Sequence, residues 1–424
     1  MVRKVVVERR SMRVVHLSTF ESSGGAARAA HGLHVGLVAA GVDSRMLVAH
    51  RQSADPRVEV ANPNPIDARI WRELASHWID ANRTELSNTF FSTGFAGANV
   101  ARHPLVTSAD ILNLHWVPGL VDPRELGALF ALGKPVVWTL HDEWAYTGGC
   151  HYTSGCMQWR SACQSCPQLV HDPHGLVAAL FAEKRMHVVR GRPTIVAPSR
   201  WLASRAEESA IFRGARIATI PYGVDLETFH PVCRDAGRAR LGLSAQDFVV
   251  LFSADAAAER RKGFAELSAA LAIVQQRVLE REMQDFPLKF AVLGDTAGVD
   301  LPAEAIPTGR LFDRAELASV VAASDLYVLP SLEDNLPNGV LEALACGTPT
   351  VAFDVGGAPD MLSSAPGSRL VAAGDVAALA DAIVCKMFDR SASSSIRTAL
   401  RKYATTHYSI DRQAGDYRAL YQEL

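Results

Sequence analysis

Two carboxylates, Asp334 and Glu342, stand eight positions apart in the stretch P-S-L-E-D-N-L-P-N-G-V-L-E-A-L-A-C-G, Pro330 to Gly347. Tyr327-Val328-Leu329 ahead of it is a short apolar run of buried-strand type. Asp334 to Pro337 is polar and holds a proline, which makes it a loop. Asn338 is a good N-cap, Gly339 to Ala345 is helix-compatible with Glu342 in the first turn, and Gly347 is placed to end the helix. A loop–helix junction of this kind leaves backbone N–H groups unpaired, and the helix dipole favours an anion there. Two carboxylates flanking an anion cannot both serve it. They are suited to accept hydrogen bonds from hydroxyls on either side, and a diphosphate between two sugars has that layout. Asn335, Leu336, Pro337 and Asn338 would then line that site. The plainer alternative is a solvated loop acid with a helix-start glutamate complementing the dipole.

Further chemistry is spread along the chain. Asp255 to Gly263, D-A-A-A-E-R-R-K-G, opens a helix faced by Phe264, Leu267, Leu271 and Val274. Arg261 and Lys262 at its N-terminus oppose the dipole, a conflict that an anionic ligand resolves; a solvated basic turn is the alternative. Near the start, β-rich Arg13 to Leu17 runs through Gly24-Gly25 into a helix with Ala26, Ala30, Leu33 and Leu37 on one face. Strand, glycine turn and helix make a phosphate- or sugar-approaching loop in a Rossmann-like sheet, without the G-x-G-x-x-G spacing of a dinucleotide site. Two more strand-then-loop stretches, Asp110 to Trp116 and Lys134 to Trp144, carry His115 and then His141 and Asp142. In a parallel sheet these strands open at one carboxyl edge, so the three side chains are expected to converge; a strand-end histidine otherwise serves as a structural hydrogen-bonding group. Trp71, Leu74, Trp78 and Ile79 fall at helical spacing and are expected in the core.

Residues 149–167 hold Cys150, Cys156, Cys163 and Cys166, with His151 beside the first. Four cysteines ending in C-x2-C suit a structural zinc, since four sulfurs close the shell to catalysis. Disulfides and free thiols are the alternatives, disulfides being disfavoured in a reducing compartment.

The Asp334 to Glu342 spacing resembles the donor-site signature of the family 4 retaining glycosyltransferases (glycosyl transferases group 1): an acidic residue, seven others, then Glu. Asp334 replaces the usual Glu, with Glu333 next door, and either carboxylate can be the one that meets the donor sugar. The likeness implies a GT-B architecture, α/β with two Rossmann-like domains facing across a cleft. It implies that Gly24 and Gly25 face the donor, that Arg28, three positions on, lies on the acceptor side with His115, and that His141-Asp142 forms an acceptor-side motif. It implies that an Arg and a Lys, here Arg261 and Lys262, hold the donor diphosphate; the family's further Arg is replaced by Ser253-Ala254. Tyr222 stands for the usual Asn at the inter-domain crossing. Expected are an acceptor-side domain over 12–228 including the cysteine loop, an irregular linker to Leu243, a donor domain over 244–405, and a final helix over 406–424 crossing back.

Composition agrees with an enzyme of two sizeable cores. The 424 residues are 48% apolar and 21% charged, with net charge −2 and no basic footprint for nucleic acid. No apolar run approaches a membrane span, and the first eleven residues look like an extension without a signal-peptide core. A cytoplasmic protein with peripheral membrane contact is expected. The expected activity is transfer of a sugar from a nucleotide-sugar to a glycan, lipid-linked or small-molecule hydroxyl, with retention. No D-x-D motif is present, and no catalytic metal is expected. A nucleotide-sugar epimerase of the same fold and an inactive sugar-binding homologue are the rivals, because fold alone decides neither.

Overall fold

The computed structural model describes residues 12–61, 66–87, 89–94, 98–280, 286–302, 304–389 and 393–424. The extension expected over the first eleven residues lies outside them. Two parallel sheets organise the chain. The first contains β1 (Arg13–Phe20), β2 (Asp43–His50), β3 (Val58–Val60), β4 (Ile111–Leu114), β5 (Val136–Thr139), β6 (Thr194–Ala197) and β7 (Ile217–Thr219), in the order β3-β2-β1-β4-β5-β6-β7. The second contains β8 (Phe248–Ala256), β9 (Leu288–Asp295), β10 (Ala305–Gly309), β11 (Leu326–Leu329), β12 (Thr350–Phe353) and β13 (Arg369–Val371), in the order β10-β9-β8-β11-β12-β13. The apolar runs form strands because helices cover both sheet faces; β4, β5, β6, β11 and β12 are buried along their whole length.

Strand order reverses between β1 and β4 in the first sheet and between β8 and β11 in the second. Ligands of open parallel sheets bind outside the carboxyl ends at such switch points. The loops after these four strands carry Gly24 and Gly25, His115, Arg261 and Lys262, and Asp334. Topology therefore gathers most of the chemistry singled out above.

The last helix, Ile410–Gln422, packs against helix Gly25–Ala39 of the first half. Tyr417 and Tyr421 are fully buried there. Asn113 donates to the Tyr421 hydroxyl at 2.7 Å, and Thr139 and Tyr417 share a hydrogen bond of 2.9 Å.

Two expectations need correcting. Helix Ile66–Ala81 exists and Ile79 is buried, but Trp71 is 64% and Leu74 55% exposed. Among the described residues no element covers their face of the helix, which periodicity alone cannot reveal. The segment ahead of Leu243 is not irregular: it forms a 3-10 turn, Pro231–Cys233, and a helix, Arg234–Arg240. Arg234 and Arg238 reach the last carbonyls of helix Arg314–Ala323 and pair with Asp325. Cations favour a helix C-terminus, so the charge that suggested a linker instead docks the segment. No helix among the described residues is long and apolar enough to cross a membrane.

Candidate active site

The loop that carries Asp334 follows β11. Its helix, Asn338–Ala345, has Pro337 at the N-cap position with no side-chain capping bond, so Asn338 is the first helical residue and not the cap. Its amide points across the cleft and donates to the Gly25 carbonyl at 2.9 Å. Glu342 is consequently one residue past the first turn, which holds no acid. Leu336 is buried beneath this turn.

Close backbone packing holds the loop. A Cβ on Gly263 would lie 1.8 Å from the Pro330 carbonyl oxygen, and one on Gly356 would lie 1.7 Å from that of Asp334. Both glycines have positive φ, so neither position tolerates a side chain. Asn335 ties the loop to the first half: its amide donates to the His141 carbonyl at 3.2 Å and its oxygen accepts from Ser199 at 2.8 Å.

Asp334 is buried and meets Lys262 at 2.7 Å and Arg261 at 3.5 Å. Burial pushes its carboxyl up, but the two cations outweigh burial and hold it below the usual carboxylate range. Arg261 also donates to both Glu259 oxygens and to the Glu333 carbonyl at 3.3 Å. Glu342 is buried with no side-chain hydrogen bond among the described residues. Burial raises its pKa against the opposing pull of Arg28 and Arg314. Arg28, expected on the acceptor side, is close enough to lower the Glu342 carboxyl, and its buried Nε has no partner among the described residues. Ser253 bonds the Tyr327 hydroxyl at 2.8 Å, under the start of the donor helix.

The opposite wall is built of neutral imidazoles. His141 Nε2 lies 3.0 Å from His115 Nδ1, and His115 Nε2 lies 2.9 Å from His16 Nδ1. His141 Nδ1 meets the Tyr222 hydroxyl at 2.7 Å, so both His141 nitrogens are engaged. Burial depresses all three; neighbouring imidazoles add to this for His16 and His115, while Asp142 only partly offsets it for His141, which falls to about 4. The structure brings His115 and His141 together but turns the Asp142 carboxylate elsewhere. It accepts from Trp116 at 2.8 Å and pairs with His151 at 2.6 Å. Burial pushes Asp142 up, but His151 and these hydrogen bonds prevail and keep it low. His16, Ser199 and Asn335's cross-cleft role had no sequence signal; Tyr222 had one, as a departure from the family pattern.

Glu333 points away from Asp334. It accepts from the Ser154 backbone at 3.2 Å, on the cysteine loop. Burial, then the nearby Glu143, push its carboxyl up to about 7. The four loop cysteines are free and line one cavity of about 20 Å³. Burial raises the Cys150, Cys163 and Cys166 thiols, Cys163 to about 11, against the Thr147 hydroxyl at Cys150, the Gly148 N–H at Cys163 and the Gln168 and Leu169 N–H groups at Cys166. No group of three or more His, Cys, Asp or Glu among the described residues is arranged to hold a metal ion.

Comparison with known proteins follows the same lines. A family model described as Glycosyltransferase Family 4 matches residues 23–228, and one described as Glycosyl transferases group 1 matches residues 247–387. WcaC of Escherichia coli K12, named as a colanic acid biosynthesis glycosyl transferase, is 25% identical over 85% of this chain and 87% of its own. A D-inositol 3-phosphate glycosyltransferase of Catenulispora acidiphila is 31% identical over 53% of this chain and 58% of its own length. Among solved structures, sucrose-phosphate synthase from Thermosynechococcus elongatus superposes with a TM-score of 0.65 at 17% identity, covering 97% of this chain and 98% of that one. Anabaena HepE in complex with UDP and glucose gives 0.63 at 16%, covering 97% and 100%. The shared architecture is GT-B.

Proposed function

This chain belongs to the family 4, group 1 glycosyltransferases, and from that premise we propose that it moves a sugar from a nucleotide-sugar to an acceptor hydroxyl with retention. The observation that carries this reading is the flanking of one helix start by two buried carboxylates, with Lys262 and Arg261 paired to Asp334 where a diphosphate would bind. HepE, bound to UDP-glucose in one of its structures, supports a donor of that class.

In this reading Glu342 accepts from the ribose hydroxyls and Asp334 from the transferred sugar, with Gly24, Gly25 and residues Asn335 to Asn338 around them. The bond from the anomeric carbon to the phosphate oxygen breaks while the acceptor oxygen bonds the same face. The acceptor proton passes to the leaving phosphate. Lys262, Arg261 and the helix dipole stabilise the departing charge, which is electrostatic catalysis without a metal. His141, with Asp142 and His115 behind it, shapes the acceptor side, and the enzyme works in the cytoplasm on a soluble or membrane-surface acceptor.

The cofactor reading extends to the cysteine loop, where a structural zinc would draw in four thiols that now surround a cavity. Elemental analysis giving about one zinc per chain is the expected result, and four titratable thiols without metal reject it. The activity itself is tested by a thermal-shift screen of UDP-, GDP- and ADP-sugars, since a ligand of the folded state alone raises its Tm. A hit followed by NMR of the product anomer is the check. No shift with any donor, or turnover without an acceptor, overturns the reading.

A further inference from the structure

The cysteine loop meets the donor loop at a second point besides Glu333. The ring of Tyr152 lies against the guanidinium of Arg261, with Cζ 4.1 Å from the ring centroid. Tyr152 is only 7% exposed. Its backbone is fixed from several directions. Gln168 donates to its carbonyl at 2.7 Å, and Thr153 donates to Glu143 at 2.9 Å. His151, on the other side, is held by Asp142. Two consecutive acids after β5 therefore clamp the residues on either side of one aromatic ring. Glu143 is itself anchored by Tyr146 and by Arg205.

The bonds of Arg261 to Glu259, Asp334 and the Glu333 carbonyl all leave from nitrogens at the edge of the guanidinium. Such bonds fix where the edge points and leave the tilt of the plane less determined. A ring on the face restrains the tilt, and a desolvated cation–aromatic contact adds attraction.

We propose that Tyr152 is a positioning residue for the donor: the ring it lays on Arg261 holds that guanidinium aimed at the diphosphate, so donor binding depends on a docked cysteine loop. This rests on the reading of Arg261 as a diphosphate ligand. It gives the loop a task that its sulfur chemistry does not supply, and it makes a residue of the acceptor wall contribute to donor affinity.

The test measures, by calorimetry on the full chain, whichever of UDP, GDP and ADP binds the wild type most tightly. Tyr152→Leu is expected to weaken that nucleotide roughly three- to thirtyfold, and Tyr152→Phe, which keeps the ring, to restore it. Tyr152→Leu combined with Arg261→Ala should bind no more weakly than Arg261→Ala alone. Stepwise fluorination of a phenylalanine at position 152 preserves shape while draining the ring face, so affinity should fall with each fluorine even if Tyr152→Leu does not fold. Affinity that ignores fluorination, or losses from Tyr152→Leu and Arg261→Ala that simply add, overturn the proposal. An Arg261→Ala variant with unchanged nucleotide affinity instead sinks the underlying reading of Arg261.

Discussion

The two walls of the cleft solve opposite electrostatic problems. On the wall proposed for the donor, buried Asp334 is kept ionised by Lys262 and Arg261, and Arg28 and Arg314 pull the Glu342 carboxyl down against burial. On the wall proposed for the acceptor, His16, His115 and His141 are linked ring to ring and kept neutral by burial. A wall built from paired charges can exchange a partner carboxylate for an incoming phosphate. The imidazole chain adds no charge of its own, and the one carboxylate beside it, Asp142, is turned towards His151 and Trp116. The contrast teaches that burial alone keeps a histidine neutral, whereas a buried carboxylate stays ionised only beside cations.

The largest effect should come from removing the donor wall's cations. Each charged hydrogen bond is worth about 1.5–3 kcal/mol, so Arg261→Ala with Lys262→Ala should weaken nucleoside diphosphate binding by about a hundredfold or more, with Tm little changed. Calorimetry showing wild-type affinity would dissolve the charged half of the comparison.

A smaller and more discriminating effect separates the carboxylates. Glu342→Ala should weaken free nucleotide and nucleotide-sugar alike, by roughly ten- to a hundredfold. Asp334→Ala should cripple turnover yet leave free diphosphate binding equal or tighter, because it releases Lys262. Parallel titrations of both ligands check this, and Glu333→Ala behaving in place of Asp334→Ala would exchange their roles.

The neutral wall is sharpened by pH. His16, His115 and His141 have folded pKa values below the unfolded value of 6.5. The unfolded chain therefore binds more protons below that point. Stability complete above pH 6.5 should be lost as pH falls towards 4, with a slope of about 1.4 kcal/mol per pH unit for each histidine. His141→Gln should reduce that slope by one proton in denaturant titrations, and an unchanged slope would mean His141 is charged in the fold.

The smallest effect concerns Glu333, whose pKa is raised to about 7 by burial and then Glu143. Here the sign reverses: the unfolded chain ionises first, so this group's contribution falls as pH rises from 4.5 to about 7. Glu333→Gln should flatten that component of the Tm profile, and a profile identical to wild type would remove the carboxyl from the inter-wall contact.

Much of this was legible in the residues. Loop and helix after β11 are marked by Pro337, Asn338 and Gly347, because proline and glycine act locally. The direction of a side chain is not local. Asn338 has the right chemistry for a cap, yet its amide is drawn to the Gly25 carbonyl in the other half of the chain. Asp142 follows His141 in sequence, yet its carboxylate serves His151 and Trp116. His16 gave no signal because an apolar strand hides a polar residue whose partners lie 99 positions away. Trp71 and Leu74 show the converse, a helical period with no wall to pack against.

The helix Ile410–Gln422 has a consequence for the order in which the molecule can be made. Its Tyr417 and Tyr421 complete the core beneath β4 and β5 through Thr139 and Asn113. A ribosome delivers all of the first sheet long before it delivers those tyrosines. During that interval the nascent first half carries an open apolar seam beside Val14, Leu33 and Val137, while the second half is still being translated. The finished first half is therefore a product of the whole polypeptide, sealed only after the second sheet has emerged.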